Sequence, residues 1–247
     1  MVLSSNDTNM SLISKVYPNL LANISQGRYL VQRAILCPTN DDVDLINDQV
    51  MAMIADSGRE SREYFSADSI LDQDDNMAML YPTEFLNTIK ASSLAPHHLV
   101  LTIGCPVMLL RNLRPQDGLC NGTRLICRSF QNFVIGAEII TGTHARNHVF
   151  IPRIPLSPSD LDMPFTMRRL QFPIRPAFAM TINKSQGQTL DTVGIYLRNP
   201  DFTHGQLYVA LSRVTSRDNV HVLIQKEQHD STPDGCTKNA VFSEILG

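Results

Sequence analysis

Short apolar runs punctuate this chain, and the spacing inside each run changes along its length. Arg33-Ala34-Ile35-Leu36-Cys37-Pro38 is nearly continuous in apolar residues and of strand length, which predicts a buried strand. Directly after it, Val43, Ile46, Val50, Met53 and Ile54 recur at helical spacing. Asn40 is placed to cap that helix, and Asp41, Asp42 and Asp44 fall in its first turn, where the helix dipole favours negative charge. Strand, cap and helix in succession predict an open α/β sheet. Residues 1–30 are polar and irregular apart from Leu12-Ile13-Ser14-Lys15-Val16-Tyr17, and Pro18 would interrupt a helix there, so the segment reads as a linker.

Residues 55–80 show little periodicity. Beyond Tyr81-Pro82-Thr83-Glu84-Phe85-Leu86 the pattern shifts to brief apolar runs at 99–102, 107–110, 123–127, 133–135 and 148–151. Turn residues such as Gln116-Asp117-Gly118 and Asn121-Gly122 lie between them, and short strands so spaced predict a small β-barrel over 97–155, inserted in the α/β domain. Pro152, Pro155, Pro158 and Pro164 mark a return linker. From Gln171 the α/β character resumes, with strands expected at 176–180, 193–197 and 220–224 and a helix after Asn183. A further helix over 203–211 would set Leu207, Ala210 and Leu211 on one side. A polar tail follows over 226–238, then a short helix over 240–246.

The 247 residues are 43% hydrophobic and 18% charged, an ordinary globular composition. Apolar stretches of five or six residues are far too short to span a bilayer, and no secretory leader is visible, so the chain reads as intracellular. Cys37, Cys105, Cys120, Cys127 and Cys236 form no C-x-x-C pair and are expected to be reduced thiols. The formal net charge of −3 conceals an asymmetry. Twelve acidic residues face two arginines between Asp41 and Glu84, whereas nine arginines face four acids between Arg111 and Arg175. That arrangement permits a basic face for phosphates, and equally an unevenly charged solvated surface.

Two segments carry the chemistry. Ala179-Met180-Thr181-Ile182-Asn183-Lys184-Ser185-Gln186-Gly187-Gln188-Thr189-Leu190 joins an apolar strand to a polar turn. Its polar groups would project from the carboxyl edge of the sheet, where open α/β folds bind ligands. Thr181, Asn183, Lys184 and Ser185 can donate to phosphate oxygens without reading bases, and Gly187 permits a tight turn. The plainer alternative is a turn that merely caps a helix. The second segment, Gly205-Gln206-Leu207-Tyr208-Val209-Ala210-Leu211-Ser212-Arg213-Val214, ends an apolar helix in an arginine. That arginine suits a phosphoryl-stabilising finger or, as commonly, a snorkelling surface side chain. His144 and His148 have the spacing of a zinc helix, but Ala145 stands where a glutamate would be needed and the context reads as a β-hairpin, so no metal site is expected.

With these motifs, the segments Tyr-Pro-Thr-Glu-Phe-Leu-Asn at 81–87, Val-Met-Leu-Leu-Arg-Asn-Leu at 107–113 and Cys-Asn-Gly-Thr-Arg-Leu at 120–125 resemble the Pif-type (petite integration frequency) superfamily 1 DNA helicases, in particular the branch carried by Helitron transposons. The resemblance covers roughly 30–225. It implies a RecA-like second motor lobe with a parallel sheet from 31–56 and 165–225, with a Src-homology-3-like β-barrel inserted. It also implies a 5′-to-3′ ATP-dependent enzyme using Mg2+, acting on single-stranded DNA in the nucleus. Carried onto this chain, Thr181, Asn183, Lys184 and Ser185 would hold the DNA strand, and Gln186, Gly187 and Gln188 would lie by the nucleotide. Arg213 would be the arginine finger, its helix placed by Gln206, Tyr208 and Ser212. Asn183 stands where many such enzymes have histidine.

No G-x-x-x-x-G-K-[ST] loop occurs in the sequence, nor an apolar strand ending in Asp-Glu. The expectation is therefore that a first motor lobe is missing, that 1–30 is the linker from it, and that this chain alone neither binds nor hydrolyses ATP. Its partners would be single-stranded DNA and a first lobe, with no membrane. Rival expectations are a free-standing strand-binding module and an inactive transposon remnant.

Overall fold

The computed structural model describes residues 2–3, 7–71, 80–158, 163–198, 205–225 and 236. The polar tail apart from Cys236, the helix expected over 240–246, and the start of the helix expected from Thr203 lie outside the described residues. The chain divides into two compact units, Met1–Met53 with Ala177–Gly247, and Ile54–Pro176. Among the described residues no helix is long and apolar enough to cross a membrane.

The first unit is built on a parallel sheet. Strands are numbered in chain order: β1 (Arg33–Cys37), β12 (Ala179–Thr181), β13 (Thr192–Leu197) and β14 (Val220–Ile224) lie in the order β12-β1-β13-β14. Every pairing is parallel, with Ile35 opposite both Ala179 and Gly194. Such strands are covered on both faces and read as apolar runs, which is why β1 was legible. The helix expected after it spans Asn40–Ala55, but its cap is Thr39 rather than Asn40: the Thr39 hydroxyl accepts from Asp42 N–H at 3.2 Å and donates to the Asp42 carboxylate at 2.7 Å.

Within the segment 1–30, expected as an irregular linker, the described residues 7–30 are largely helical. Pro18 does break it, but helices Asn9–Val16, Leu20–Asn23 and Gly27–Val31 form around the break. Leu12, Ile13, Val16, Tyr17, Leu20, Ile24 and Leu30 are all buried. Tyr17 donates its hydroxyl to Phe178 O at 2.6 Å. Helix Asn9–Val16 crosses the sheet where β13 carries no side chain: a Cβ on Gly194 would lie 2.7 Å from Val16 Cγ2, 3.1 Å from Ile35 Cγ1 and 3.2 Å from Leu12 Cδ1. Gly194→Ala is therefore expected to destabilise this unit by about 1–3 kcal/mol through overpacking. The readout is the urea midpoint, and an unchanged midpoint would contradict the close seating of the helix.

The second unit is antiparallel and larger than the expected 97–155. β2 (Ser61–Phe65) pairs with β4 (His98–Thr102), and β3 (Ala67–Ile70), β10 (Met167–Gln171) and β9 (Ile154–Leu156) form a sheet in the order β3-β10-β9. The third sheet runs β11 (Ile174–Pro176), β5 (Pro106–Leu109), β6 (Arg124–Phe130), β7 (Val134–Ile139) and β8 (His148–Pro152). The runs expected to be strands at 99–102, 107–110, 123–127, 133–135 and 148–151 all fall on this framework. Residues 165–176, expected in the motor lobe, instead belong here, because β10 and β11 pair with β3, β9 and β5. The proline-marked return segment also contains a strand, β9.

A buried guanidinium organises this unit. Arg169 on β10 donates from Nε to Asp68 Oδ1 at 2.9 Å and from Nη2 to Asp68 Oδ2 at 2.6 Å, with the two side chains 1% and 0% exposed. It also donates to the carbonyls of Leu86, Ile89 and Ala95 at 2.9, 3.2 and 3.0 Å. One side chain thus ties the helix Thr83–Thr88 and the segment after it to two strands.

Candidate functional site

Thr181 ends β12 at the carboxyl edge of the parallel sheet, so the polar segment does emerge where ligands of open α/β folds are bound. The α-helix expected after Asn183 is only a 3-10 turn, Ile182–Ser185. Gly187 explains the early stop: its φ of +77° is a left-handed conformation that ends the turn and that other residues adopt with strain. Asn183, Lys184, Gln186 and Gly187 are exposed, Thr181 and Gln188 half-buried.

Ser185 departs from its expected role. It is 0% exposed, and its hydroxyl donates to Ile182 O at 2.7 Å. It braces the turn from inside and is not displayed to a strand of DNA. The exposed donors brought together are Asn183 and Lys184, with Gln206 donating to Asn183 Oδ1 at 3.5 Å and Gln188 donating to Lys184 O at 3.1 Å.

The second segment forms a helix, Gln206–Leu211, behind Gly205 at a φ of +77°. Ala210 faces inward as expected, but Leu211 is 45% exposed and Tyr208 76% exposed, leaving an apolar outer face. Arg213 follows the helix and does not snorkel outward. Its Nε donates to Val209 O at 2.8 Å, Nη1 to Ser185 O at 3.3 Å and Gln188 O at 3.1 Å, and Nη2 to Ser212 Oγ at 2.9 Å. Leu190 N–H donates back to Arg213 O at 2.9 Å. The two motifs are therefore one site, joined through this guanidinium.

Asn47 supports the site from behind and was not singled out in the sequence. Its Oδ1 accepts from Phe178 N–H at 3.1 Å and Ala179 N–H at 2.9 Å, and its Nδ2 donates to Ala179 O at 3.3 Å, fixing the edge strand that delivers Thr181. The signal available was a polar residue on the apolar stripe of Val43, Ile46 and Val50. Cys37, at the carboxyl end of β1, is buried; burial pushes its thiol well above the usual range and Asp42 adds to the shift, so it is no thiolate nucleophile. Among the described residues no three histidine, cysteine, aspartate or glutamate side chains group as metal ligands. His144 lies in a turn and His148 on β8, so the pair does not share a helix face.

Residues 84–130 match the family model of the DNA helicase Pif1 2B domain. The ATP-dependent DNA helicase PIF1 of Danio rerio is 34% identical over 197 residues, covering 76% of this chain and 27% of that protein. The human counterpart is 32% identical over 200 residues, covering 80% of this chain and 28% of its own length. This chain is a homologue of the Pif1 helicases. It spans about a quarter of the length of the curated Pif1 relatives it matches. Among solved structures, a Bacteroides Pif1 helicase crystallised with ADP-AlF3 and ssDNA superposes with a TM-score of 0.57 at 24% identity, covering 88% of this chain and 46% of the other. Bacteroides Pif1 bound to ssDNA gives 0.54 at 25% identity, with 83% and 47% covered. The likeness of fold is to these Pif1 structures, RecA-like α/β with a parallel sheet.

At this turn the Arg213 guanidinium and the side-chain amides of Asn183 and Gln186 are groups that can contact an edge of a phosphate.

Proposed function

We propose that this chain is the second motor lobe and inserted domain of a Pif1-type 5′-to-3′ DNA helicase of the Helitron branch, gripping single-stranded DNA at the turn after β12. The observation that carries this reading is the clustering of exposed Asn183 and Lys184 at the sheet's carboxyl edge beside Arg213, in a chain homologous to Pif1 helicases. Thr181, Asn183 and Lys184 hold the strand; Ser185 shapes the turn. The antiparallel unit Ile54–Pro176 plays the part of the Src-homology-3-like insertion. ATP with Mg2+ supplies phosphoryl-transfer chemistry when held by a first motor lobe, and Arg213 is the arginine finger directed at it. Gln186, Gly187 and Gln188 line the edge facing that lobe, and exposed Tyr208 and Leu211 lie on the helix that precedes the finger.

Phosphate contacts release counterions, so affinity for single-stranded DNA falls with salt in proportion to the contacts made. Lys184→Ala is expected to weaken binding to any sequence and to lower the log–log salt slope by about 0.7, the value for one contact to a single strand. An unchanged slope and affinity would remove Lys184 from the interface. The alternative of a free-standing strand-binding module shares this result; it differs in showing no ATP turnover when a first lobe is added.

A further inference from the structure

The third sheet of the antiparallel unit ends at β8, whose far side pairs with no described strand. Asn147 O accepts from Ile139 N–H at 3.0 Å, and Arg153 N–H donates to Phe133 O at 3.2 Å, so the bonds to β7 fall on residues 147, 149, 151 and 153. The same alternation turns the N–H and C=O of His148 and Phe150, and the C=O of Pro152, toward the open edge. Among the described residues no hydrogen bond reaches these groups from that side. Beside the edge runs a groove of about 880 Å³, its opposite wall formed by the loop 113–119. Asn147, His148, Val149 and Phe150 all line it. Consecutive strand residues point to opposite faces, so the groove follows the backbone edge rather than one face of the sheet. The wall is preformed: a Cβ on Gly118, at a φ of +80°, would lie 2.8 Å from His144 Cβ, so the loop is seated against the turn that leads into β8. Arg114, Arg146, His144 and His148 line the groove with a single acid, Asp117, which already faces Arg114 at 3.7 Å. Phe150, 72% exposed, adds an apolar shelf.

We propose that β8 and this groove form a docking site for an extended, acidic segment of a partner protein, which adds to the sheet as a further strand. The free edge presents donors and carbonyl acceptors in alternation, and a peptide strand satisfies both. A nucleic-acid phosphate only accepts, so it would leave the carbonyls of His148, Phe150 and Pro152 covered without a donor. Carboxylates of the segment meet Arg114 and Arg146, and an apolar side chain covers Phe150. Pro152, with no N–H to give, sets where the added ladder ends. A second copy of this chain would bring the same arginines to the groove rather than carboxylates. The site lies within the antiparallel unit and does not depend on the grip proposed for the other unit.

The probe is a capped peptide of about nine alternating glutamate and valine residues, long enough to span β8. It is added to the full chain and followed by residue-resolved hydrogen exchange. With peptide bound, exchange at the His148 and Phe150 amides is expected to slow about ten-fold or more, while Val149 and Ile151, already bonded to β7, change little. N-methylation of one alternate set of peptide amides should abolish this protection, and methylation of the other set should spare it. Lysine in place of glutamate in the peptide, or Arg114→Glu in the chain, should raise the dissociation constant about three-fold or more. Unchanged exchange at His148 and Phe150 at millimolar peptide overturns the proposal. Equal binding by both methylated peptides also overturns it, because the edge would then not be pairing. Equal binding by the lysine peptide overturns the acidic character of the partner. Protection of the same amides by oligothymidine at lower concentration than by the peptide would assign the groove to nucleic acid instead. Protection in the free chain that grows with protein concentration would assign the edge to a second copy, and either result overturns the proposal.

Discussion

Arg169→Met is expected to cost the antiparallel unit about 3–5 kcal/mol, the range for breaking a buried ion pair from one side. The loss is large because Asp68 remains, 0% exposed, with its strongest partner gone. Three carbonyls, those of Leu86, Ile89 and Ala95, lose a charged donor in the same step. They lie beside a small core of Leu86, Leu94, Ala95, Leu110, Leu156, Phe165 and Met167, which holds the segment only if its backbone is satisfied. Replacing Asp68 as well, in Arg169→Met with Asp68→Leu, should recover part of the loss but not all, because the three carbonyls still lack the charged donor that Arg169 gave them. Urea unfolding of the single and double variants checks this. A single variant within 1 kcal/mol of wild type, about the worth of one ordinary hydrogen bond, would contradict the organising role.

The second large effect concerns ATP turnover. The chain alone is expected to hydrolyse no ATP, with or without single-stranded DNA. Supplied with a Pif1-type first motor lobe in trans, it should support DNA-stimulated hydrolysis, and Arg213→Ala should lower that rate by about 10³–10⁵, the usual worth of an arginine finger. The guanidinium follows a helix that packs on the turn at the sheet's carboxyl edge, and it needs only to release backbone carbonyls to extend. Steady-state turnover of the reconstituted pair measures the effect. Turnover by the chain alone that is lost in Arg213→Ala would show a complete active site within these residues and overturn the division between lobes.

What could be read in the sequence follows the strength of local patterns. β1 and the helix after it were legible because a fully buried parallel strand is uniformly apolar and its helix keeps a clean stripe. β2 and β3 were invisible: Ser61–Phe65 fully buries only Tyr64, and Ala67–Ile70 fully buries no apolar residue, so neither shows an apolar rhythm. Their strand state is imposed by partners far along the chain, β4 and β10. The N-terminal helices were hidden by polar composition around Pro18, although Leu12, Ile13 and Val16 already had the spacing that covers β13. The cap moved by one residue, from Asn40 to Thr39, because both side chains can cap and only the folded backbone chooses.

The site shows the same limits. Its location was legible from a polar, glycine-containing segment following an apolar strand. The roles within it were less so, since a serine hydroxyl facing a solvent ligand and one bonded to its own turn have the same sequence. Ser185 took the second course, 0% exposed and bonded to Ile182 O. The link between the two motifs through Arg213 could not be read from either motif, because it depends on the chain folding back across 25 to 28 residues.

The most direct measurement is the affinity of the isolated chain for single-stranded DNA as a function of salt, compared between oligothymidine and a mixed sequence of equal length. The account predicts binding at low salt that weakens linearly on a log–log plot, with several phosphates' worth of slope and closely similar constants for the two sequences. Absence of binding at low salt, or a preference for one sequence that survives at high salt, would contradict a sequence-blind grip on the DNA backbone at this turn.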